Sequence, residues 1–105
     1  MDKQKVELSQ QKLLLELSLV STLYKNDRQL SISQIRGILH DTLYSNEFIR
    51  IALQNLVSYG IVAVEFYEKE KILYQISEFG KYFFEKLLQE NSTIKYFSDS
   101  IGDNS

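Results

Sequence analysis

The sequence predicts an α+β fold that is mostly helical and contains a single β-hairpin. Apolar residues repeat with helical spacing in four segments of the 105-residue chain. After Gly60 the spacing switches to strict alternation, in two short runs separated by a charged turn. Apolar residues make up 44% of the chain, which is enough to build a core without disulfides. We expect one domain over residues 1–97 and an acidic, disordered tail over residues 98–105.

The first helix, expected over residues 7–25, is apolar on two opposite sides. A helix of this kind must be buried on both sides. Either its own chain wraps it completely, or one side meets a second subunit. The second interpretation predicts a homodimer, in which glutamate at Leu15 or Leu19 would break the dimer and leave the fold intact. The candidate interface residues are Leu8, Leu15, Leu19, Leu23, Phe84 and Leu88.

A short second helix, expected over residues 34–40, follows a polar turn. The sequence from Ser31 to Gln34 fits a capping box, in which the two side chains satisfy backbone amides at the start of a helix. The residues from Leu30 to Ile32 fit a very short strand. Residues 41–45 then turn the chain into the third helix.

The third helix, expected over about 45–59, is apolar on one face and polar on the other. Ser45 or Asn46 is a suitable N-cap, and Gly60 can adopt the left-handed conformation that closes a helix. The outer face carries side chains able to reach base edges, since arginine bonds guanine, glutamine bonds adenine and isoleucine contacts the thymine methyl. An ordinary solvated helix has a similar composition, so this interpretation depends on the surrounding architecture.

The last part of the chain predicts a hairpin over 61–77 and a final helix capped by Ser77. Alternating residues from Val62 and from Ile72 form the two strands, with a charged turn between them. Gly80 would let the final helix approach its neighbour closely near its start. This helix is apolar over a broad face, which is typical of a contact surface.

This order of elements resembles the winged-helix regulators of bacteria, phages and plasmids, of the MarR, PadR and ArsR kind. Two stretches carry the resemblance, SISQIRGILHDTLYSNEFIRIALQNLVSYGIV and LYQISEFGKYFFEKLL. The resemblance implies that residues 45–59 form a recognition helix and residues 61–77 a wing. The DNA-binding residues that it implies are Ser33, Arg36, Asn46, Glu47, Arg50, Ile51, Gln54, Lys69 and Lys71.

By this resemblance the chain would be a sequence-specific, homodimeric transcriptional regulator that binds double-stranded DNA. One alternative is a winged-helix centromere-binding adaptor of a plasmid or phage partition system. Another is a protein–protein interaction module that does not bind DNA. The charge balance favours the last alternative, because twelve basic residues face fourteen acidic ones and no basic run is present.

Several other classes of function are excluded by composition. The chain has no cysteine and only one histidine, His40, so thiolate and two-histidine metal motifs are impossible. Carboxylates are scattered and no glycine-rich phosphate loop occurs, so we expect no enzyme, catalytic residue or cofactor. Neither a membrane-spanning stretch nor a signal peptide is present, and we expect a cytoplasmic protein without membrane partners.

Overall fold

The structure, a computed structural model, describes residues 3–40, 44–67 and 71–100, with side chains from residue 10 onward. Within these ranges the chain forms five helices and one two-stranded antiparallel sheet. The elements in chain order are α1 (Lys3–Lys25), α2 (Ile32–Leu39), α3 (Asn46–Ser58), β1 (Val62–Tyr67), β2 (Lys71–Ile76), α4 (Glu78–Glu90) and α5 (Ser92–Asp99). The predicted α+β, mostly helical fold is confirmed.

The hairpin pairs β1 with β2, from Val62 opposite Ile76 to Tyr67 opposite Lys71. A third short segment joins it, because Leu30 and Tyr74 exchange two backbone hydrogen bonds of 2.8 Å each. This bridge fixes the hairpin to the segment between α1 and α2. It confirms the predicted very short strand at Leu30 alone, because Ile32, the other end of that strand, is the first residue of α2.

Serine side chains begin three of the helices. Ser31 forms the predicted capping box with Gln34, in which the Gln34 amide donates to Ser31 Oγ and the Ser31 amide donates to Gln34 Oε1. Helix α2 therefore begins at Ile32, two residues before the predicted start. Ser45 caps α3 and Ser77 caps α4 through the same kind of bond.

Two glycines fix the path between α3 and α4. Gly60 has a φ of 79°, a left-handed conformation that ends α3 and directs the chain into β1. Gly80 lies against the backbone that follows Gly60, where an added Cβ would stand 2.1 Å from the Ile61 carbonyl oxygen. The predicted close approach of the last helix is confirmed.

Helix α1 is the centre of the hydrophobic core. Its side chains Leu15, Leu19 and Leu23 are at most 1% exposed, and Phe84 of α4 is equally buried against them. The prediction that these four residues meet a second subunit is wrong, because their own chain already covers them. The other two candidates differ: the side chain of Leu8 lies outside the described residues, and Leu88 is half-buried against the core.

Helix α5 is attached to α1 by polar contacts. Ser98 is 3% exposed, and its hydroxyl lies 2.7 Å from the buried hydroxyl of Ser21. The ammonium group of Lys25 donates to the Ser98 carbonyl. The helix therefore runs through Asp99, two residues beyond the domain boundary predicted at residue 97. Residues 101–105 lie outside the described residues, so the disordered tail stays a prediction.

Candidate nucleic-acid interface

Helix α3 presents a polar face directed away from the core. Ile49, Ala52, Leu53 and Leu56 are buried, and helical spacing places Glu47, Ile51 and Gln54 on the opposite side. These three residues are exposed, as is Asn46 in the first turn. The structure thus brings four of the predicted DNA-binding residues together on one accessible surface.

Arg50 lies at the edge of this face and already has a partner. Its guanidinium donates to both carboxylate oxygens of Glu47, through Nε to Oε2 at 3.1 Å and through Nη2 to Oε1. The hydrogen bond from Arg50 holds the pKa of Glu47 below its ordinary value, and the same bond raises the pKa of Arg50. The single arginine of α3 is therefore charge-paired with Glu47, which lies about one turn earlier in the same helix.

Arg36 has an internal role in this structure. It is half-buried on α2, and its guanidinium donates to the Tyr44 carbonyl just before α3 begins. This bond joins α2 to the start of α3 across residues 41–43. The predicted contact of Arg36 with the DNA backbone stays a prediction, whereas Ser33 on the same helix is exposed and accessible.

The hairpin stands beside α3 and encloses a groove with it. The groove has a volume of about 210 Å³, and its lining is Arg50, Gln54, Val57, Val64, Phe66, Ile72 and Tyr74. Phe66 is 75% exposed at its outer end. Lys71 is exposed at the start of β2, and Lys69 lies outside the described residues.

Sequence analysis missed the aromatic character of this surface. Phe66 and Tyr67 are exposed on the hairpin, and Phe48 of α3 is 36% exposed and stacks on Tyr44 with ring centres 5.4 Å apart. The signal for Phe66 was available: the apolar alternation of β1 continues for two residues beyond Val64, farther than the helix can cover. The Tyr67 hydroxyl lies 2.9 Å from Glu65 Oε2 and 3.1 Å from Gln29 Oε1. Hydrogen bonding to these side chains therefore restrains the Tyr67 ring.

The charge of the candidate interface is almost balanced. In the described parts of α2, α3 and the hairpin, the basic residues are Arg36, Arg50 and Lys71 and the acidic residues are Glu47 and Glu65. Two of the three basic groups are held by internal bonds. Among these described residues folding does not concentrate positive charge. Lys71 is the basic side chain of this set for which the structure shows neither an internal hydrogen bond nor an ion pair.

The described residues contain neither a candidate metal cluster nor a candidate membrane span. No cluster of three or more histidine, aspartate or glutamate side chains is arranged to hold a metal ion in the described ranges. No helix in the part of the chain that the structure describes is long and apolar enough to cross a bilayer.

Comparison with known proteins gives a likeness at the level of fold. No family model and no curated protein sequence matches the chain. A solved structure of BpsR from Bordetella bronchiseptica, reported for the mechanism by which 6-hydroxynicotinic acid regulates its DNA binding, superimposes with a TM-score of 0.58. The match covers 79% of this chain and 59% of BpsR at 14% sequence identity. The chain has a winged-helix fold. It spans 59% of the length of that protein, and at this identity the likeness concerns the fold alone.

Proposed function

We propose that this protein is a sequence-specific DNA-binding protein that acts as a homodimeric transcriptional regulator. The observation that carries the proposal is the accessible face of α3, where Glu47, Ile51 and Gln54 stand together beside an exposed hairpin. In winged-helix and related helix-turn-helix proteins, this helix enters the major groove. The likeness to BpsR supports the proposal, because the structure of that protein was reported in connection with its DNA binding.

The chemistry of the α3 face suits direct readout of base pairs. The amide of Gln54 can bond the N6 and N7 edge of adenine, and Ile51 can contact a thymine methyl. Glu47 can accept a hydrogen bond from cytosine N4. The Nε and Nη2 edge of Arg50 is bonded to Glu47, so Arg50 can bond guanine through this edge only when it leaves Glu47.

The balanced charge of the interface predicts modest affinity for phosphates. Each neutralised phosphate contributes about 0.9 to the slope of log affinity against log salt. If Lys71 and one further basic side chain of each protomer contact phosphates, a dimer has a slope of about −4. Specificity would then depend on base contacts from α3 more than on general attraction to DNA.

Fluorescence anisotropy with labelled duplex DNA over a salt series tests this proposal. The probe is the DNA upstream of the protein's own gene, compared with a scrambled duplex of equal length. Arg50→Ala removes the basic side chain of α3. Lys95→Ala removes an equal charge from α5, which packs against α1 and α4, and serves as the matched control.

The proposal predicts tighter binding to the upstream DNA than to the scrambled duplex, with binding that weakens as salt rises. Arg50→Ala should weaken binding and Lys95→Ala should not. Absence of binding at low salt, or equal loss in both variants, would overturn the assignment of α3. A footprint that extends over tandem repeats would replace the regulator with a centromere-binding adaptor.

A protein-binding role of the same face is the second candidate. It is favoured by three exposed apolar side chains around the interface, Phe48, Ile51 and Phe66, the last of which is 75% exposed. The ion pair between Arg50 and Glu47 also favours a protein partner, because it neutralises the positive charge of α3. A protein adaptor would bind no duplex at any salt concentration, which the anisotropy series detects directly.

A further inference from the structure

A second apolar surface lies on the side of the molecule formed by α1, α4 and α5. It is a groove of about 370 Å³ between the middle of α1, the end of α3, α4 and α5. Its accessible lining includes Leu13, Leu17, Tyr59, Phe83, Leu87 and Ile94. The groove is partly open to solvent, and Glu16 is the single charged residue of its lining. We call this surface the α1–α4 groove.

Large side chains project from the rim of the α1–α4 groove. Leu13 is 58% exposed, Tyr59 is 57% exposed and Phe79 is 55% exposed. Phe79 stacks on Phe83 with ring centres 6.1 Å apart, which extends the rim along α4. One face therefore carries both a groove and the projecting groups that could fill it. A two-fold interface requires this property, because the same patch must be complementary to itself.

The exposed area matches what a dimer interface needs. At about 200 Å² for a fully exposed large side chain, Leu13, Tyr59, Phe79 and Phe83 together expose roughly 400 Å². A standard interface buries about 800 Å² per partner, of which about 60% is apolar. Half-buried Leu17, Leu87 and Ile94 supply most of the remaining apolar area.

The charges around this surface are also compatible with self-association. Lys12 and Glu16 lie on the α1 side, 4.0 Å apart. Lys86 and Glu90 follow Phe83 by three and seven residues, so helical spacing places them on the same side of α4. Two basic and two acidic groups leave the surface neutral, and a second copy meets no net repulsion.

We propose that the α1–α4 groove is the interface between two copies of this chain. It replaces the buried stripe of α1 that sequence analysis assigned to the dimer, and it deepens the dimeric part of the proposed function. Tyr59 is the C-cap residue of α3, so the interface contacts the recognition helix directly. The dimer thereby sets the separation and angle of the two α3 helices, and with them the spacing of the DNA half-sites.

Sedimentation equilibrium of the full chain without DNA, from low micromolar to sub-millimolar concentration, tests this interface. Leu13→Glu on α1 and Phe79→Glu on α4 place a charge on the groove rim at exposed positions. Tyr96→Glu is the matched control, because Tyr96 is 80% exposed on α5 and is not part of the groove lining. Far-UV circular dichroism of each variant verifies that the fold is retained.

The wild type and Tyr96→Glu are expected to dimerise with the same dissociation constant. Leu13→Glu and Phe79→Glu are expected to raise that constant at least about tenfold while staying folded. An anilinonaphthalene sulfonate dye should bind less per chain as the concentration of wild type rises, because the dimer covers the groove.

Three results would overturn the interface. The wild type could be monomeric throughout and bind the dye equally at every concentration, which would leave the groove to a small apolar molecule or a different protein. All variants could dimerise equally, or Tyr96→Glu could be as disruptive as the rim variants. Because DNA is absent from this experiment, a dimer that fails to bind DNA refutes the DNA-binding role and leaves the interface. A monomer that binds DNA specifically refutes the interface and the dimeric part of the proposed function, and leaves its DNA-binding part.

Discussion

Replacing Gly80 with alanine tests the packing that positions the hairpin beside α3. An added Cβ would lie 2.1 Å from the Ile61 carbonyl oxygen and 2.9 Å from Cγ1 of Ile76. Restoring an ordinary contact distance requires α4 to move by more than 1 Å from a backbone atom. That movement would strain two bonds on the same oxygen, from the Ser77 amide at 2.9 Å and from the Ser77 hydroxyl at 3.0 Å.

The expected cost follows from these contacts. Overpacking in a well-packed site costs about 1–3 kcal/mol. Weakening one or two hydrogen bonds adds about 1 kcal/mol, while alanine regains about 1 kcal/mol of helix propensity over glycine. We expect Gly80→Ala to lower the free energy of unfolding by about 1–3 kcal/mol, and the melting temperature by about 5–20 °C.

Gly37→Ala is the matched control for Gly80→Ala. Gly37 lies in α2, is exposed, and has no atom within 4 Å of an added Cβ. Only the propensity gain remains, so this variant should raise the melting temperature by a few degrees. Thermal unfolding followed by far-UV circular dichroism compares the two. If both alanines raise the melting temperature equally, the contact between α4 and the Ile61 backbone does not exist.

Three further predictions concern the interface, the core and pH. Glu47→Gln should release Arg50 and tighten binding to duplex DNA about two- to fivefold in the anisotropy assay. The gain is small because the exposed ion pair with Glu47 competes only weakly with DNA for Arg50. Unchanged or weaker binding would show that the pair does not restrain Arg50. Leu19→Glu should unfold the chain, since Leu19 is completely buried; a folded monomer by circular dichroism and sedimentation would contradict the core assignment. The hydrogen bond from Lys81 lowers the pKa of Asp27. This ion pair therefore stabilises the fold at neutral pH, and its contribution is lost as pH falls below about 4. Asp27→Asn should therefore lose slightly more stability at pH 7 than at pH 3 in urea titrations, and an equal loss at both values would contradict the ion pair.

The sequence was sufficient where short-range chemistry determines local structure. The Ser31 capping box, the caps at Ser45 and Ser77 and the turn at Gly60 follow from hydrogen bonds or dihedral angles within a few residues. The switch from helical to alternating spacing predicted the hairpin correctly, because this pattern also depends on neighbouring residues alone. Apart from the start of α1, helix boundaries agreed within about two residues, with α2 beginning earlier because its cap is Ser31. Helix α1 begins at Lys3, four residues before the predicted start.

The sequence was insufficient where burial depends on distant packing. Two apolar stripes on α1 are equivalent as patterns, and only the positions of α3, α4 and the hairpin decide that Leu15 and Leu19 face inward while Leu13 stays exposed. The same limit applies to charged side chains. Sequence placed Arg50 on the reading face, but its bond to Glu47 three residues earlier depends on rotamers that no pattern specifies.

Mapping of the DNA contact surface by NMR tests the central proposal most directly. Amide signals of the nitrogen-15-labelled protein are followed while a duplex from the upstream DNA is added at low salt. We predict that the largest shifts fall in Asn46–Ser58 and in the hairpin, with little change in Glu78–Glu90 and Ser92–Asp99. Shifts concentrated on α4 and α5, or none at saturating DNA, would contradict the proposal that α3 and the hairpin form a DNA-binding surface.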